Sequence, residues 1–232
     1  MRYNHCVEGI FIERPNRFIA KVLVDGKEET VHVKNTGRCK ELLRSNAKVI
    51  LEDHRGEGRK TDYDLVSVYK GNRLINMDSQ APNRMVKEYL LNYQPFGKIT
   101  FFKPEYTYGK SRVDFYMETV DHKGQKRRIL LEVKGVTLEN DNIVRFPDAP
   151  TLRGIKHIEE LEGSLKEGYE AYIWFVIQMD GVTYFAPNDE THPEFGTALR
   201  KAAENGVEVQ AFDCDIRVGE MWLKEPVEVR LN

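Results

Sequence analysis

Residues 7–77 carry short runs in which apolar and polar positions alternate, from GIFIE through RFIAKVLVDG, ETVHVKN, KVILED and DYDLVSVYKG to RLINMD. A period of two places every second side chain on one face, so each run predicts a half-buried β-strand. Turn chemistry separates the runs at Pro15-Asn16, Asp25-Gly26, Gly56 and Gly58, and Gly71-Asn72. CKELLR, 39–44, predicts a brief helical insertion. Five or six short strands with one small insertion imply an OB-like β-barrel.

The period changes near residue 80. SQAPNRMVKEYLLNY spaces Met85, Val86, Tyr89 and Leu90 along one helix face, with Ser79 as cap candidate and Pro82 near the first turn. Strands are then expected at 98–106, 111–119 and 127–134, followed by a helix at 149–166. Further strands are expected at 170–178 and 182–186, a helix at 194–205, and closing strands at 207–213 and 226–231. Mixed order of this kind implies an α/β or α+β core covered by helices. The expected organisation is therefore α+β with two domains, 1–80 and 81–232. LRKAAENGVEVQAF, 199–212, has glycine where a helix-turn-helix would turn, but the residues after Gly206 alternate with period two. A strand is expected there, not a recognition helix.

Composition narrows the class. The longest apolar run, AYIWFVI at 171–177, is far too short to span a bilayer, so no membrane partner is expected. The start has no apolar segment of signal-peptide length, which makes a cytoplasmic protein the expectation. Cys6, Cys39 and Cys214 are widely spaced and form no CxxC pair, so reduced thiols are expected. Net charge is −2, but residues 1–60 carry 13 basic against 9 acidic side chains, leaving 22 against 28 for the remainder. A basic N-terminal part fits a phosphate-facing surface, and it fits an ordinary solvated surface nearly as well.

Charged residues interrupt two strands that otherwise look buried. Asp114 lies inside RVDFYM, and Glu132 and Lys134 flank Val133 at the end of ILLEVKG. Positions i and i+2 of a strand share a face, so Glu132 and Lys134 project together. If the strands pair through a turn near 122–126, Asp114 becomes their neighbour. A buried carboxylate must be paired or bound to a cation. Two readings stay open: a salt-bridged strand end, or a pair of hard oxygen donors for Mg²⁺ or Mn²⁺ with Lys134 placed to stabilise negative charge. Glu88, three residues after Met85, is a third candidate ligand, or a surface acid paired with Arg84. In LRGIKHIEELEGSLKEG, Ile155, Ile158, Leu161 and Leu165 form an apolar stripe, while Arg153, Lys156 and His157 share another face. That face is either a phosphate contact or solvated, and His157 is also a candidate for proton transfer.

Five separated motifs now stand in order: NTGRCKELL (35–43), YGKSRVDF (108–115), LEVKGVTL (131–138), FPDAPTLRGIKH (146–157) and NGVEV (205–209). On these motifs the chain resembles the sugar fermentation stimulation protein (SfsA) family over nearly its whole length. The resemblance implies an N-terminal OB-like barrel followed by a PD-(D/E)xK, restriction-endonuclease-like mixed-sheet domain. It implies DNA binding with little sequence preference and a regulatory part in sugar (maltose) metabolism. It places the nuclease-like signature on Asp114, Glu132 and Lys134, with Glu88 as the helical acid, and the RGIKH motif on Arg153, Lys156 and His157. Fold analogy alone does not establish cleavage.

Two classes of function follow. A DNA-binding protein would use the barrel, with Arg14, Arg17, Lys34, Arg38 and Lys40 as contacts and Phe18 either stacking on bases or packed in the core. Arg112, Arg153, Lys156 and His157 would add contacts beside the acids. A Mg²⁺- or Mn²⁺-dependent phosphodiesterase would use Asp114, Glu132, Lys134 and Glu88 on DNA or, as an open alternative, RNA. A non-catalytic site that is structural or senses a metal is a third reading, and a homodimer is open because many nucleases pair their sites to cut both strands.

Overall fold

The structure is a computed structural model and describes residues 1–35 and 37–232; Thr36 of the NTGRCKELL motif lies outside the described residues. Six strands make the N-terminal sheet: β1 (His5–Asn16), β2 (Ile19–Val24), β3 (Lys27–Val33), β4 (Lys48–Asp53), β5 (Tyr63–Lys70) and β6 (Arg73–Asn76). Their order is β3-β2-β1-β4-β5-β6, and a parallel pairing of β3 with β5 closes the sheet into a barrel. Period-two alternation turns Ala20, Val22, Val31, Val49, Leu51 and Leu65 inward, where each is fully buried.

Helix α1 (Ala81–Tyr93) follows, then β7 (Lys98–Tyr108), β8 (Ser111–Val120), β9 (Lys126–Val136), β10 (Glu139–Asn140) and β11 (Ile143–Phe146). Next come α2 (Leu152–Ser164) with a 3-10 turn at Leu165–Glu167, β12 (Glu170–Ile177), β13 (Tyr184–Pro187), α3 (Pro193–Glu204), β14 (Glu208–Arg217) and β15 (Glu220–Val229). These strands form one nine-stranded mixed sheet, ordered β10-β11-β13-β15-β14-β12-β9-β8-β7. The central strands β9 and β12 pair in parallel; β12 reads as a nearly continuous apolar run and β9 as one only over residues 129–131, as strands buried on both faces do. One face packs with α2 and α3 through Ile158, Leu161, Phe195 and Leu199. Met85, Val86 and Leu90 of α1 share a second core with Leu131, Val133 and Trp174 of the sheet and Ile50, Val66 and Leu74 of the barrel.

Two local expectations need correction. CKELLR makes a single turn, with the Leu43 N–H bonded to the Cys39 carbonyl at 2.9 Å, because Cys39 takes a left-handed φ of 46° that helical residues do not adopt. Ser79 does not cap α1; Gln80 holds that position without a side-chain cap, and the Ser79 hydroxyl donates instead to the Lys34 carbonyl at 2.9 Å. The strand expected at 207–213 is β14 and not a recognition helix, and it runs on to Arg217 before turning into β15. Cys6, Cys39 and Cys214 are free. No helix among the described residues is long and apolar enough to cross a membrane.

A buried polar joint ties barrel to sheet. The Gln178 amide, just after β12, donates to Asn76 Oδ1 at 2.9 Å and to the Asp78 carbonyl at 3.0 Å. Lys34 lies 3.0 Å from Asp78, and the Tyr3 hydroxyl donates to the same carboxylate at 3.1 Å. At the rim Glu139 meets Lys70 at 2.6 Å and Arg73 at 3.0 Å.

Candidate functional site

Strands β8 and β9 pair as an antiparallel hairpin from Val120↔Lys126 to Phe115↔Leu131. Where this ladder ends, the Asp114 carboxylate takes over: its Oδ2 accepts the Val133 N–H at 2.7 Å. Its other oxygen accepts from the Asn83 amide at 2.7 Å, so the first turn of α1 fixes the acid from the opposite side. Gly135 lets that turn approach, since a Cβ there would sit 2.8 Å from Pro82 Cγ and 2.6 Å from Gln178 Oε1.

Glu132 is 3% exposed, and its Oε1 is held at 2.6 Å by Lys134 Nζ and at 2.5 Å by His157 Nδ1. Carboxylates accept and guanidinium groups only donate. His157 Nε2 accepts from Arg153 Nε at 3.3 Å, so the two neighbours together select the imidazole tautomer protonated on Nδ1. The remaining Glu132 oxygen, Oε2, is buried and has no hydrogen-bond partner among the described residues.

The two acids are electrostatically coupled. Burial, and then the charge of Glu132, push the Asp114 carboxyl up to about 6 against the pull of the Val133 N–H, Lys134 and Asn83. Burial acts in the same direction on Glu132, yet Lys134 and His157 together outweigh it and hold that carboxyl below its usual range. The result is one firmly ionised acid beside one that protonates more readily. Two hard carboxylate donors, one with a buried oxygen left unpartnered, fit a small divalent cation such as Mg²⁺ or Mn²⁺.

The structure thus brings Asp114, Glu132 and Lys134 together and leaves Glu88 out. Glu88 lies five residues beyond Asn83, about 140° further round the helix, given 3.6 residues per turn. Its carboxylate pairs with the N-terminal ammonium at 2.8 Å, so neither the metal role nor the Arg84 pairing describes it.

The basic candidates divide as sharply. Arg112, Arg153 and Lys156 line a groove of about 430 Å³ together with Lys110 and His157. His157 is largely buried, and both its ring nitrogens are engaged, Nδ1 with Glu132 and Nε2 with Arg153. On the barrel, Arg17, Arg38 and Lys40 are exposed around a cavity of about 240 Å³, and Arg17 lies over the exposed Phe18 ring at 4.8 Å. Phe18 is therefore surface, not core. Arg14 and Lys34 are spent structurally. Arg14 donates to the carbonyls of Gly37, Arg38, Arg17 and Asn35 at 2.6–2.9 Å, stitching the segment after β3 to β1. Lys34 belongs to the buried joint with Asp78. Sequence reasoning missed Asn83, for which an asparagine after a first-turn proline gave no distinguishing signal.

With the geometry in view, the chain compares closely with known proteins. It matches the description "Sugar fermentation stimulation protein RE domain" over residues 80–220 and "SfsA N-terminal OB domain" over residues 12–77. It is 52% identical over 231 residues to the sugar fermentation stimulation protein homolog of Clostridium beijerinckii, covering 100% of both chains. The homolog from Ruminiclostridium cellulolyticum is 53% identical over 231 residues, again with 100% of both covered. Among solved structures, the chain is similar to Pyrococcus furiosus SfsA in complex with Ca²⁺, at TM-score 0.87 and 26% identity over 99% of this chain and 98% of that one. The chain belongs to the sugar fermentation stimulation protein (SfsA) family, which joins an OB domain to a restriction-endonuclease-like one.

Proposed function

We propose that the protein binds DNA with little sequence preference and hydrolyses its phosphodiester bonds, using a divalent cation held by Asp114 and Glu132. In this reading residues 1–80 supply a DNA-binding barrel and 81–232 the catalytic unit. The observation that carries it is the buried Glu132 Oε2, partnerless among the described residues, beside the Asp114 carboxylate. The cation bound to the Pyrococcus furiosus relative supports a divalent ion in this family, and Mg²⁺ or Mn²⁺ suits carboxylate donors with open remaining positions. When bound, such an ion supplies Lewis-acid polarisation and an activated water. The chain's own residues do the rest. Lys134 sets an ammonium beside the site for negative charge that develops on the phosphate. His157 locks the orientation of Glu132, and Arg153 in turn locks His157. Lys110, Arg112 and Lys156 hold the phosphate backbone in the groove that His157 also lines. Any part in sugar metabolism would act through this DNA contact.

A second reading is a DNA-binding protein with no cleavage, favoured by the ion pair with Lys134 and the hydrogen bond with His157 that occupy one oxygen of the almost closed Glu132. One experiment separates them. Plasmid, linear duplex, single-stranded DNA and RNA are incubated at low salt with Mg²⁺ or Mn²⁺, and binding is measured on the same samples. Metal-dependent cleavage by the wild type that is absent from Glu132→Gln supports the first reading. Binding without any cleavage leaves the second, and absence of both removes the proposal.

A further inference from the structure

A second cluster of ligating groups lies in the barrel, away from Asp114 and Glu132. Glu52 on β4 and Asp64 on β5 are direct cross-strand partners, and both are buried. Like charges placed opposite one another destabilise a sheet. One oxygen of each acid is already served: Glu52 Oε1 accepts the Asn4 N–H at 3.1 Å, and Asp64 Oδ1 meets Arg59 at 2.7 Å and His32 at 3.1 Å. The other two oxygens, Glu52 Oε2 and Asp64 Oδ2, converge on His54 Nε2 at 3.3 and 3.4 Å. Lys34 stands 3.9 Å from the same Glu52 oxygen but is committed to Asp78 at 3.0 Å.

His54 Nε2 is buried and makes a hydrogen bond to neither oxygen, although the ring exposes only 11% of its side-chain surface. Its Nδ1 lies 3.0 Å from Glu57 Oε2, and a carboxylate can only accept, so Nδ1 carries a proton. Nε2 faces two carboxylate oxygens, at 3.3 and 3.4 Å, without a hydrogen bond to either, and a cation shared by the three atoms would satisfy them together. A metal-bound histidine whose other nitrogen donates to a carboxylate is the usual outer-shell pattern of such centres. The spacing agrees: ligands about 2.0–2.1 Å from a tetrahedral zinc ion lie about 3.3–3.4 Å apart. All three ligand atoms fall within 4.8 Å of one another.

We propose that Glu52, His54 and Asp64 form a metal site for Zn²⁺, a clamp on the barrel's closing strands that is separate from the site at Asp114 and Glu132. One imidazole and two carboxylates suit a borderline ion better than Mg²⁺ or Ca²⁺, and a water completes the tetrahedron. The clamp joins β4 to β5 beside the β3–β5 closure, where His32 lies opposite Asp64.

The test is a competition titration of chelator-stripped full-length protein with Zn²⁺ against a chromophoric chelator, with Co²⁺ substituted to read coordination from its visible spectrum. One equivalent is expected to bind to the Asp114→Asn/Glu132→Gln double variant with a tetrahedral Co²⁺ spectrum, and the wild type should bind the same equivalent in addition to any ion taken by Asp114 and Glu132. His54→Ala should lose that equivalent, and Glu57→Gln should weaken it roughly 10- to 100-fold, the usual effect of removing an outer-shell partner. Should His54→Ala fail to fold, imidazole ¹⁵N shifts of the wild type replace it, with Nε2 of His54 expected to move on adding Zn²⁺. The proposal is overturned if the wild type binds no Zn²⁺, if binding follows Asp114 and Glu132 instead, or if the His54 ring proves to be an imidazolium that Zn²⁺ does not affect.

Discussion

Two pairs of acids face each other across neighbouring strands in this molecule, and their surroundings differ in kind. Asp114 and Glu132 stand where the β8–β9 ladder ends, with an ammonium on the same strand, a histidine from α2 and an amide from α1 around them. Glu52 and Asp64 stand paired within the β4–β5 ladder, where Arg59 and His32 reach Asp64 and His54 Nε2 faces both acids without a hydrogen bond. His157, which bonds Glu132 of the first pair, also lines a groove with Lys110, Arg112, Arg153 and Lys156; the second pair joins strands of a closed barrel. Opposed carboxylates create the same need for positive charge in both places. What turns one into a candidate for chemistry is the strand end and the basic groove that His157 connects to it, because a reacting phosphate must be able to reach the acids.

The sharpest way to break this comparison is to neutralise one acid from each pair. Glu132→Gln should lower DNA cleavage by more than about 10³-fold, the scale of losing an electrostatic stabiliser in a desolvated site, with the melting profile largely kept. Glu52→Gln should leave the cleavage rate within a few-fold of wild type. Equal losses in both variants, measured on supercoiled plasmid with Mn²⁺, would mean that the contrast drawn between the pairs is wrong.

A smaller effect is expected at Asn83, which touches no substrate but orients Asp114. Asn83→Ala should cost roughly 10- to 100-fold in cleavage through a weaker response to cation concentration, as outer-shell changes do. Asn83→Asp would set a third negative charge against the two acids and should not rescue it, whereas Asn83→Gln would recover part of the loss. A kcat change with an unaltered cation dependence would contradict the positioning role.

The joint between the two regions can be loosened without touching either pair. Burial alone would raise the Glu139 carboxyl, but Lys70, the Asn142 N–H and Arg73 outweigh it and hold it below its ordinary 4.5. A carboxyl depressed in the folded state contributes stability above its unfolded value, and the contribution fades as pH falls through the lower folded value. Glu139→Gln should therefore cost about 1–3 kcal/mol at neutral pH, since both cations are part-exposed, and the gap to wild type should narrow in acid below about pH 4.5. Denaturant melts from pH 3 to pH 7 read it directly; a gap that widens in acid would refute the assignment.

The strands were the legible part of this chain, because period two survives in any sequence whose sheet has a buried face. Asp114, Glu132 and Lys134 were legible for the same reason: charges on such strands stand out. Helix-borne and loop-borne groups were not. Glu88 lay at the edge of an apolar stripe, and only the position of the N-terminal ammonium decides where it points. Arg14 and Lys34 read as surface cations, yet the carbonyls after β3 and the Asp78 joint absorb them. The strand past Asp213 escaped because β14 and β15 slip register between Phe212 and Cys214, which breaks the alternation. Strands β10 and β11 span two and four residues, too short for any period to show.

The gentlest probe concerns the groove that separates the two pairs in function. Lys156 is half-exposed, with its ammonium 3.1 Å from the Lys110 carbonyl and 3.8 Å from Glu160, so it is free to turn toward a phosphate. Each phosphate neutralised releases a counterion, which makes the salt slope a count of contacts. Lys156→Ala should weaken DNA binding by up to about eightfold at 0.1 M salt and flatten the plot of log affinity against log salt by about one unit. Lys40→Ala, on the barrel cavity, should do the same if both surfaces track one backbone. If Lys40→Ala changes nothing while Lys156→Ala flattens the slope, DNA lies in the groove alone and the barrel takes no part in holding it. If neither moves the slope, the basic walls are ordinary solvated surface, and the opposed acids that His157 connects to them have lost the feature that set them apart from the pair in the barrel.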